Sequence, residues 1–166
     1  MPPIVLRRAA AEDAHAKAAV FDAAVRVGWS YLGSLVDEPM FTAQDWNQLV
    51  ADHMPPNALL VAVDKAERVV GYTAVHVDEC EMFLLFVVPD FAGRGIGRQL
   101  LEAAHDTLRA AGCREAFLFV HEQNTRARRV YAAAGYYADG SERVSDFRGT
   151  RVRELRMVKA LGGHPR

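Results

Sequence analysis

Residues 84–101 read LLFVVPDFAGRGIGRQLL, and the class of fold follows from this stretch. The apolar run that ends at Val88 is stopped by Pro89 and predicts a strand buried on both faces. Glycines then recur at 93, 95 and 97. They allow positive φ and let backbone approach a ligand closely. Apolar residues at Ile96, Leu100, Leu101, Ala104 and Leu108 predict a helix, which Gly112 suits as a C-terminal stop. The helix starts with unpaired N–H groups aimed out of the loop, and that geometry makes an anion site. Arg94 and Arg98 can add charge there. The Rossmann spacing is not completed, and no GK[ST] follows, so neither dinucleotide fingerprint nor Walker loop is present.

Outward from this segment, Glu115 to Val120 predicts the next strand, so the strand–helix–strand step is a parallel crossover. Ahead of it lie three strand-like runs, at 58–63, 69–77 and 80–88, joined by short polar turns that imply antiparallel pairing. A short strand opens the chain at Ile4 to Arg7. Two helices follow: Glu12 to Val27, with an apolar face at Ala16, Ala19, Val20, Ala23, Ala24 and Val27, and a second capped by Thr42 with Asp45 at its third position, ending before Pro55. After residue 120 come a helix at 124–134, a short strand at 136–138, a turn at Asp139-Gly140, and a last strand at 152–158. The predicted order is β-α-α-β-β-β-α-β-α-β-β: a mixed, largely antiparallel sheet with helices on both faces.

A chain of 166 residues with 51% hydrophobic content reads as one domain, residues 1–166, able to bury about 70% of its extended surface. The net charge of −1, with both signs mixed along the chain, argues against nucleic-acid binding through general basicity. The longest apolar run falls far short of the ~20 residues of a spanning helix, and no signal core follows Arg7 and Arg8. The expectation is a cytoplasmic protein without membrane association. Cys80 and Cys113 form no CxxC pair and are expected as reduced thiols.

Two motifs carry a resemblance. AGRGIG, residues 92–97, resembles the pyrophosphate loop of the GNAT superfamily of acyl-CoA-dependent N-acetyltransferases, Gln/Arg-x-x-Gly-x-Gly/Ala; Ala92 departs at the first position. NTRARRVYAAAGY, residues 124–136, is similar to that family's Asn-x-x-Ala-x-x-x-Tyr-x-x-x-Gly-Phe/Tyr segment. The resemblance covers residues 58–138 and implies the family's fold, with acetyl-CoA as co-substrate and no metal. It implies a cofactor site at Ala92, Gly93, Arg94, Gly95, Ile96, Gly97, Arg98, Asn124, Arg126 and Tyr131. It also maps the backbone donors for a developing oxyanion onto Leu85, Phe86 and Val87.

Helical spacing independently puts Asn124, Ala127, Tyr131 and Ala134 on one face. Asn124 can cap the helix, and the three arginines at 126, 128 and 129 read as a solvated face, of which one can meet a phosphate. Tyr131 can serve as proton donor to the departing thiolate. The resemblance makes Glu81 the first candidate for the base that takes the amine's proton, with Glu79, His121 or a water chain as alternatives. Cys80 as an acyl-carrying nucleophile lacks a histidine against it. Trp29, Tyr31, Phe41 and Trp46 fall where the family builds its acceptor site; they can bind an apolar amine or pack the helices on the sheet. The expected reaction is acetyl transfer to a primary amine of a small molecule or amino acid by direct attack in a ternary complex. A non-catalytic acyl-CoA-binding or interaction module is the alternative, and a homodimer is left open.

Overall fold

The computed structural model describes residues 4–162. Its elements follow the predicted order: β1 (Val5–Arg8), α1 (Ala14–Gly28), α2 (Ala43–Asp52), β2 (Ala58–Val63), β3 (Val69–His76), β4 (Glu81–Val87), α3 (Ile96–Ala110), β5 (Glu115–His121), α4 (Thr125–Ala133), β6 (Tyr137–Phe147) and β7 (Thr150–Ala160). Single-turn 3-10 segments add Ala11–Asp13 and Pro89–Phe91, and a longer one, kinked at Gly33, spans Ser30–Val36. The strands form one seven-stranded sheet in the order β1-β2-β3-β4-β5-β7-β6. Every neighbouring pair is antiparallel except β4 and β5.

Local chemistry accounts for the boundaries. The Thr42 hydroxyl accepts from the Asp45 amide at 3.2 Å while the Asp45 carboxylate accepts from the Thr42 amide at 2.7 Å, a reciprocal cap that starts α2. Gly95, at φ 80, starts α3, and Gly112, at φ 91, follows its end. On one face of the sheet, Leu101, Ala104 and Leu108 of α3 and Tyr131 of α4 pack on Met82, Leu118 and Val120. On the other, Val20, Phe21 and Val25 of α1 and Trp46 and Val50 of α2 pack on Val61, Tyr72 and Ala74.

Four expectations need correction. First, the cysteines are not reduced: Cys80 and Cys113 are joined by a disulfide with Cα atoms 5.8 Å apart. Each precedes a strand, and β4 and β5 lie side by side because α3 crosses over between them. Their proximity is a product of topology that a separation of 33 residues conceals. Second, Asp139-Gly140 is not a turn between strands. β6 continues through it with a register shift between Ala138 and Glu142, the Asp139 carboxylate accepting from the Ser141 amide at 2.9 Å. The hairpin to β7 turns instead at Arg148 and Gly149, both at positive φ.

Third, α1 is rotated from its expected face. Val27 is 50% exposed and Ala19 faces out, whereas Lys17, Val20, Phe21 and Val25 are buried. In an alanine-rich helix the large side chains decide which stripe is worth burying, and Lys17 is carried inside with them. Fourth, the end of β4 is not buried on both faces; Phe83 is exposed and Leu84 to Val87 are half-buried. These side chains line a cavity.

Candidate active site

β4 and β5 touch only at their beginnings. Their one register pair is Glu81 with Phe117, supplemented by a bond from the Phe117 amide to the Cys80 carbonyl. Beyond it the strands diverge. Antiparallel strand amides alternate between neighbours. The Val88 amide bonds the Val70 carbonyl of β3, so the Phe86 amide also faces β3, while those of Leu85 and Val87 face the gap. Of the three expected oxyanion donors, the amides of Leu85 and Val87 face the gap and that of Phe86 does not. Phe86 contributes its ring to the cavity wall instead.

The gap opens into a cavity of about 660 Å³ that passes through the sheet. On the α3 and α4 side it is lined by Ala92, Gly93, Gly97, Asn124, Arg126 and Tyr131. The first α3 amide to find a carbonyl is that of Gln99, to Gly95 at 3.0 Å. The amides of Gly95, Ile96, Gly97 and Arg98 are the free N–H groups of the helix start. A Cβ added at Gly97 would lie 3.8 Å from Val87 Cγ2. The wall there is bare backbone rather than packed core. Arg94 and Arg98 are exposed beside the loop, Arg94 stacking over Phe91 at 4.9 Å. The Ile96 side chain is buried between α3 and the sheet, as its place on the apolar face of the helix predicts, which leaves its amide as the group this residue presents at the helix start.

The two downstream motif residues behave as their spacing predicts. The Asn124 side chain accepts from the Ala127 amide at 3.1 Å and caps α4. Tyr131, one turn and three residues on, is 8% exposed with its ring 5.9 Å from that of Tyr136. Burial pushes its phenol above the usual range, so it stays protonated at neutral pH.

The opposite half of the cavity lies on the α1 and α2 face. Phe21 is the hub of an aromatic cluster there, edge-on to Trp29 at 5.9 Å, Phe41 at 5.4 Å, Trp46 at 5.4 Å and Phe86 at 5.0 Å. These rings pack against one another and also line the cavity; Tyr31 does not line it. Asp45, Asp52, Glu81 and Glu154 also line the cavity. Glu81 is buried, its carboxylate 3.2 Å from His76 Nδ1. His76, Glu79 and Glu81 offer ligand atoms within 4.8 Å of one another, with Glu79 exposed on the β3–β4 turn.

His121 ends β5. Its Nδ1 is 2.7 Å from the Tyr31 hydroxyl, its ring lies 4.4 Å from Trp29, and its Nε2 is 3.9 Å from Glu154 Oε1. Glu154 in turn accepts from Arg143 Nε at 2.5 Å. Burial holds His121 below the ordinary imidazole range, with Glu154 opposing and Arg143 assisting. The imidazole is therefore neutral at pH 7. Behind the aromatic wall Lys17 is fully buried with its ammonium 5.8 Å over the Trp46 ring; desolvation, partly offset by Asp13, lowers its pKa to about 8.

Sequence reasoning missed His76, Asp52, Arg143 and Glu154. Each reaches the cavity or its edge through sheet register or a helix end, and only the β3–β4 turn that links His76 to Glu81 is local enough to leave a trace.

Comparison with known proteins adds a family, two relatives and two solved structures. The family model described as the acetyltransferase (GNAT) family matches residues 22–136. A mycothiol acetyltransferase of Propionibacterium freudenreichii is 36% identical over 107 residues, 60% of this chain and 34% of that protein, so the chain spans about a third of that relative's length. A peptidyl-lysine N-acetyltransferase, YjaB of Salmonella typhimurium, is 36% identical over 60% of this chain and 63% of its own length. Among solved structures, apo-form YjaB from Escherichia coli superposes with a TM-score of 0.69 at 26% identity over 98% of this chain and 99% of its own. The structure of yncA from Salmonella typhimurium with its cofactor acetyl-CoA has a TM-score of 0.75 at 16% identity, covering 99% and 97%.

Proposed function

The chain belongs to the acetyltransferase (GNAT) family, and on that premise we propose that it transfers an acetyl group from acetyl-CoA to a primary amine of a small molecule, by direct attack in a ternary complex. The observation that carries this reading is the continuous cavity through the diverging β4 and β5. It links the free amides of α3, Tyr131 and the Leu85 and Val87 amides to an acid- and aromatic-lined space on the far face.

The residues present fit the co-substrate. The bare glycine backbone and helix start suit a pyrophosphate, Arg94, Arg98 and Arg126 stand where further phosphate charge can be met, and Asn124 lies on the cavity wall. Acetyl-CoA would supply an acyl group already activated as a thioester. The chain's own work is then threefold. Leu85 and Val87 donate to an oxyanion. A group on the acceptor face takes the proton of the amine, since an ammonium cannot attack. Tyr131 supplies a proton to the leaving sulfur.

Glu81 is the proposed base, buried on the acceptor face with His76 against it. One observation favours a second reading. Continuing the Glu81–Phe117 register past the extra residue at Phe83 brings the end of β5 at His121 level with Phe86, between the gap-facing amides of Leu85 and Val87, whereas Glu81 lies at the start of β4. In that reading Nδ1–H donates to the Tyr31 oxygen and the neutral Nε2 accepts the proton.

Two experiments test the proposal. Acetyl-CoA at a hundredfold excess over Kd is expected to stabilise the fold by about 2.7 kcal/mol, read by melting; no shift would end it. Glu81→Gln and His121→Gln are then compared by pH–rate profile in a thiol-release assay. The acidic limb is expected to vanish in Glu81→Gln and persist in His121→Gln; the reverse assigns the base to His121.

A further inference from the structure

The charged groups of the acceptor half are distributed in a way that selects among amines. Asp45, Asp52 and Glu81 line it. The Asp45 carboxylate caps Thr42 and that of Asp52 accepts from Gln48 Nε2 at 2.7 Å, so neither is neutralised by a cation. The only cations among the described lining residues are Arg126 and Arg143. Arg126 stands on α4, on the other side of the sheet. Arg143 is committed to Glu154 and covers the Phe119 ring at 3.8 Å. His121 is held neutral by burial. Lys17 lies behind the Trp46 ring and does not reach the cavity.

An acceptor that carried a carboxylate or phosphate would therefore bring an unpaired anion beside the buried Glu81 and the exposed Asp45 and Asp52, a repulsion that no free cation of the acceptor half offsets. An ammonium gains from the same acids and from the aromatic faces. The apolar part of the acceptor meets Phe21, Trp29, Phe41 and Phe86, edges and faces suited to a planar ring.

Resting on the acetyl-transfer reading, we propose that the acceptor is an amine on an apolar, ring-sized body without a carboxylate or phosphate, of the arylalkylamine type rather than an amino acid. The ammonium first gives one proton through the base to solvent; the free amine nitrogen then bonds the acetyl carbon, the C–S bond breaks, and the second proton lost by the nitrogen is balanced by the one Tyr131 gives to the departing thiolate.

The test is a thiol-release assay on matched pairs, phenethylamine with phenylalanine and tryptamine with tryptophan, beside a lysine-containing peptide. The amine of each pair is expected to exceed its amino acid in kcat/KM by at least about 30-fold. Equal or better use of the amino acid, or preference for the peptide, overturns the assignment. So does silence from both amines when acetyl-CoA still shifts the melting temperature; loss of that shift would instead remove the acetyl-transfer reading beneath it. Asp52→Arg, at the exposed end of α2 where a cation suits the helix dipole, places a cation in the acceptor half. It is expected to narrow the amine-to-amino-acid ratio about tenfold, and an unchanged ratio would count against the acids as the selecting element.

Discussion

The two halves of the cavity are built from different materials. Beside α3 and α4 the wall is largely backbone: glycines at 93 and 97, a helix start with free amides, and two strand amides turned into the gap. Beside α1 and α2 it is side chain: a cluster of rings around Phe21, four carboxylates, and His121 braced by Tyr31. Backbone can hold a phosphate whatever the neighbouring residues are, so that half tolerates change in side chains but not in geometry. In the other half the surface offered to a ligand is set by which side chains stand there. A shared co-substrate and a private acceptor call for this division.

The sharpest way to break the contrast is Gly97→Glu. The position has room, since a Cβ meets only Val87 at 3.8 Å, and the glycine is not at positive φ. The unliganded protein is expected to melt near the wild-type temperature. Acetyl-CoA binding is expected to fall below detection in a calorimetric titration, because a side chain and a negative charge would occupy the place proposed for the pyrophosphate. Wild-type affinity would mean that the backbone wall is not the anchor.

Tyr131→Phe probes the one side chain on that wall given a chemical role. The ring and its contact with Tyr136 remain, so folding and co-substrate affinity are expected to hold. A drop in kcat of roughly 10²–10⁴ is expected if the proton donor is lost, with kcat/KM falling in parallel. Turnover within twofold of wild type would return Tyr131 to the core.

The same division explains what could be seen in the sequence. Residues 92–97 and 124–136 are contiguous, and their glycines, cap and helical spacing state their geometry locally; the fold order followed for the same reason. The acceptor half gathers α1, the turn after it, α2, β4, β5, β6 and β7, and no local pattern announces which rings meet. Tyr31 and His121 are 90 residues apart and bond only because β5 ends beneath the turn at Ser30–Val36. The disulfide was hidden likewise, by a crossover. The long β6 was hidden by Gly140, which reads as a turn signal whether it closes a hairpin or bulges a strand.

Buried imidazoles on the two faces offer a third comparison. His105 of α3 is fully enclosed, its Nε2 2.8 Å from the Tyr136 hydroxyl. Burial, with Lys159 adding to it and Glu102 opposing, pulls it down to about 4. Below an ordinary pKa near 6.5 the unfolded chain takes up a proton that the folded chain refuses. This group therefore makes stability fall as the pH drops from about 6.5 towards 4, by roughly 3 kcal/mol across the window, and not further below it. His105→Gln keeps a partner for Tyr136 and cannot titrate. Urea unfolding in steps from pH 7 to 4 is expected to show a flatter slope for it than for wild type. An equal slope would place the acid sensitivity elsewhere, with His121 and His53, both also lowered by burial, next to be tested.

The smallest expected effect is that of Tyr31→Phe, and it bears most directly on whether the acceptor half does chemistry or supplies shape. Tyr31 does not line the cavity; its hydroxyl acts only on His121 Nδ1 at 2.7 Å. Burial raises its phenol, so the hydroxyl is neutral throughout the working range. With Glu81 as base, the bond only keeps the imidazole against Trp29, and its loss is worth the net value of one neutral hydrogen bond, about 1 kcal/mol of stability. kcat is then expected within about twofold of wild type and the pH–rate profile unmoved. With His121 as base, the same bond selects the tautomer whose Nε2 is free, and removing it lets Nε2 carry the proton towards Glu154. kcat would then fall by tenfold or more, with the acidic limb shifted. The melting change is the same in both cases, so the kinetic difference cannot be charged to folding, and the profile decides which residue on the acceptor face takes the proton.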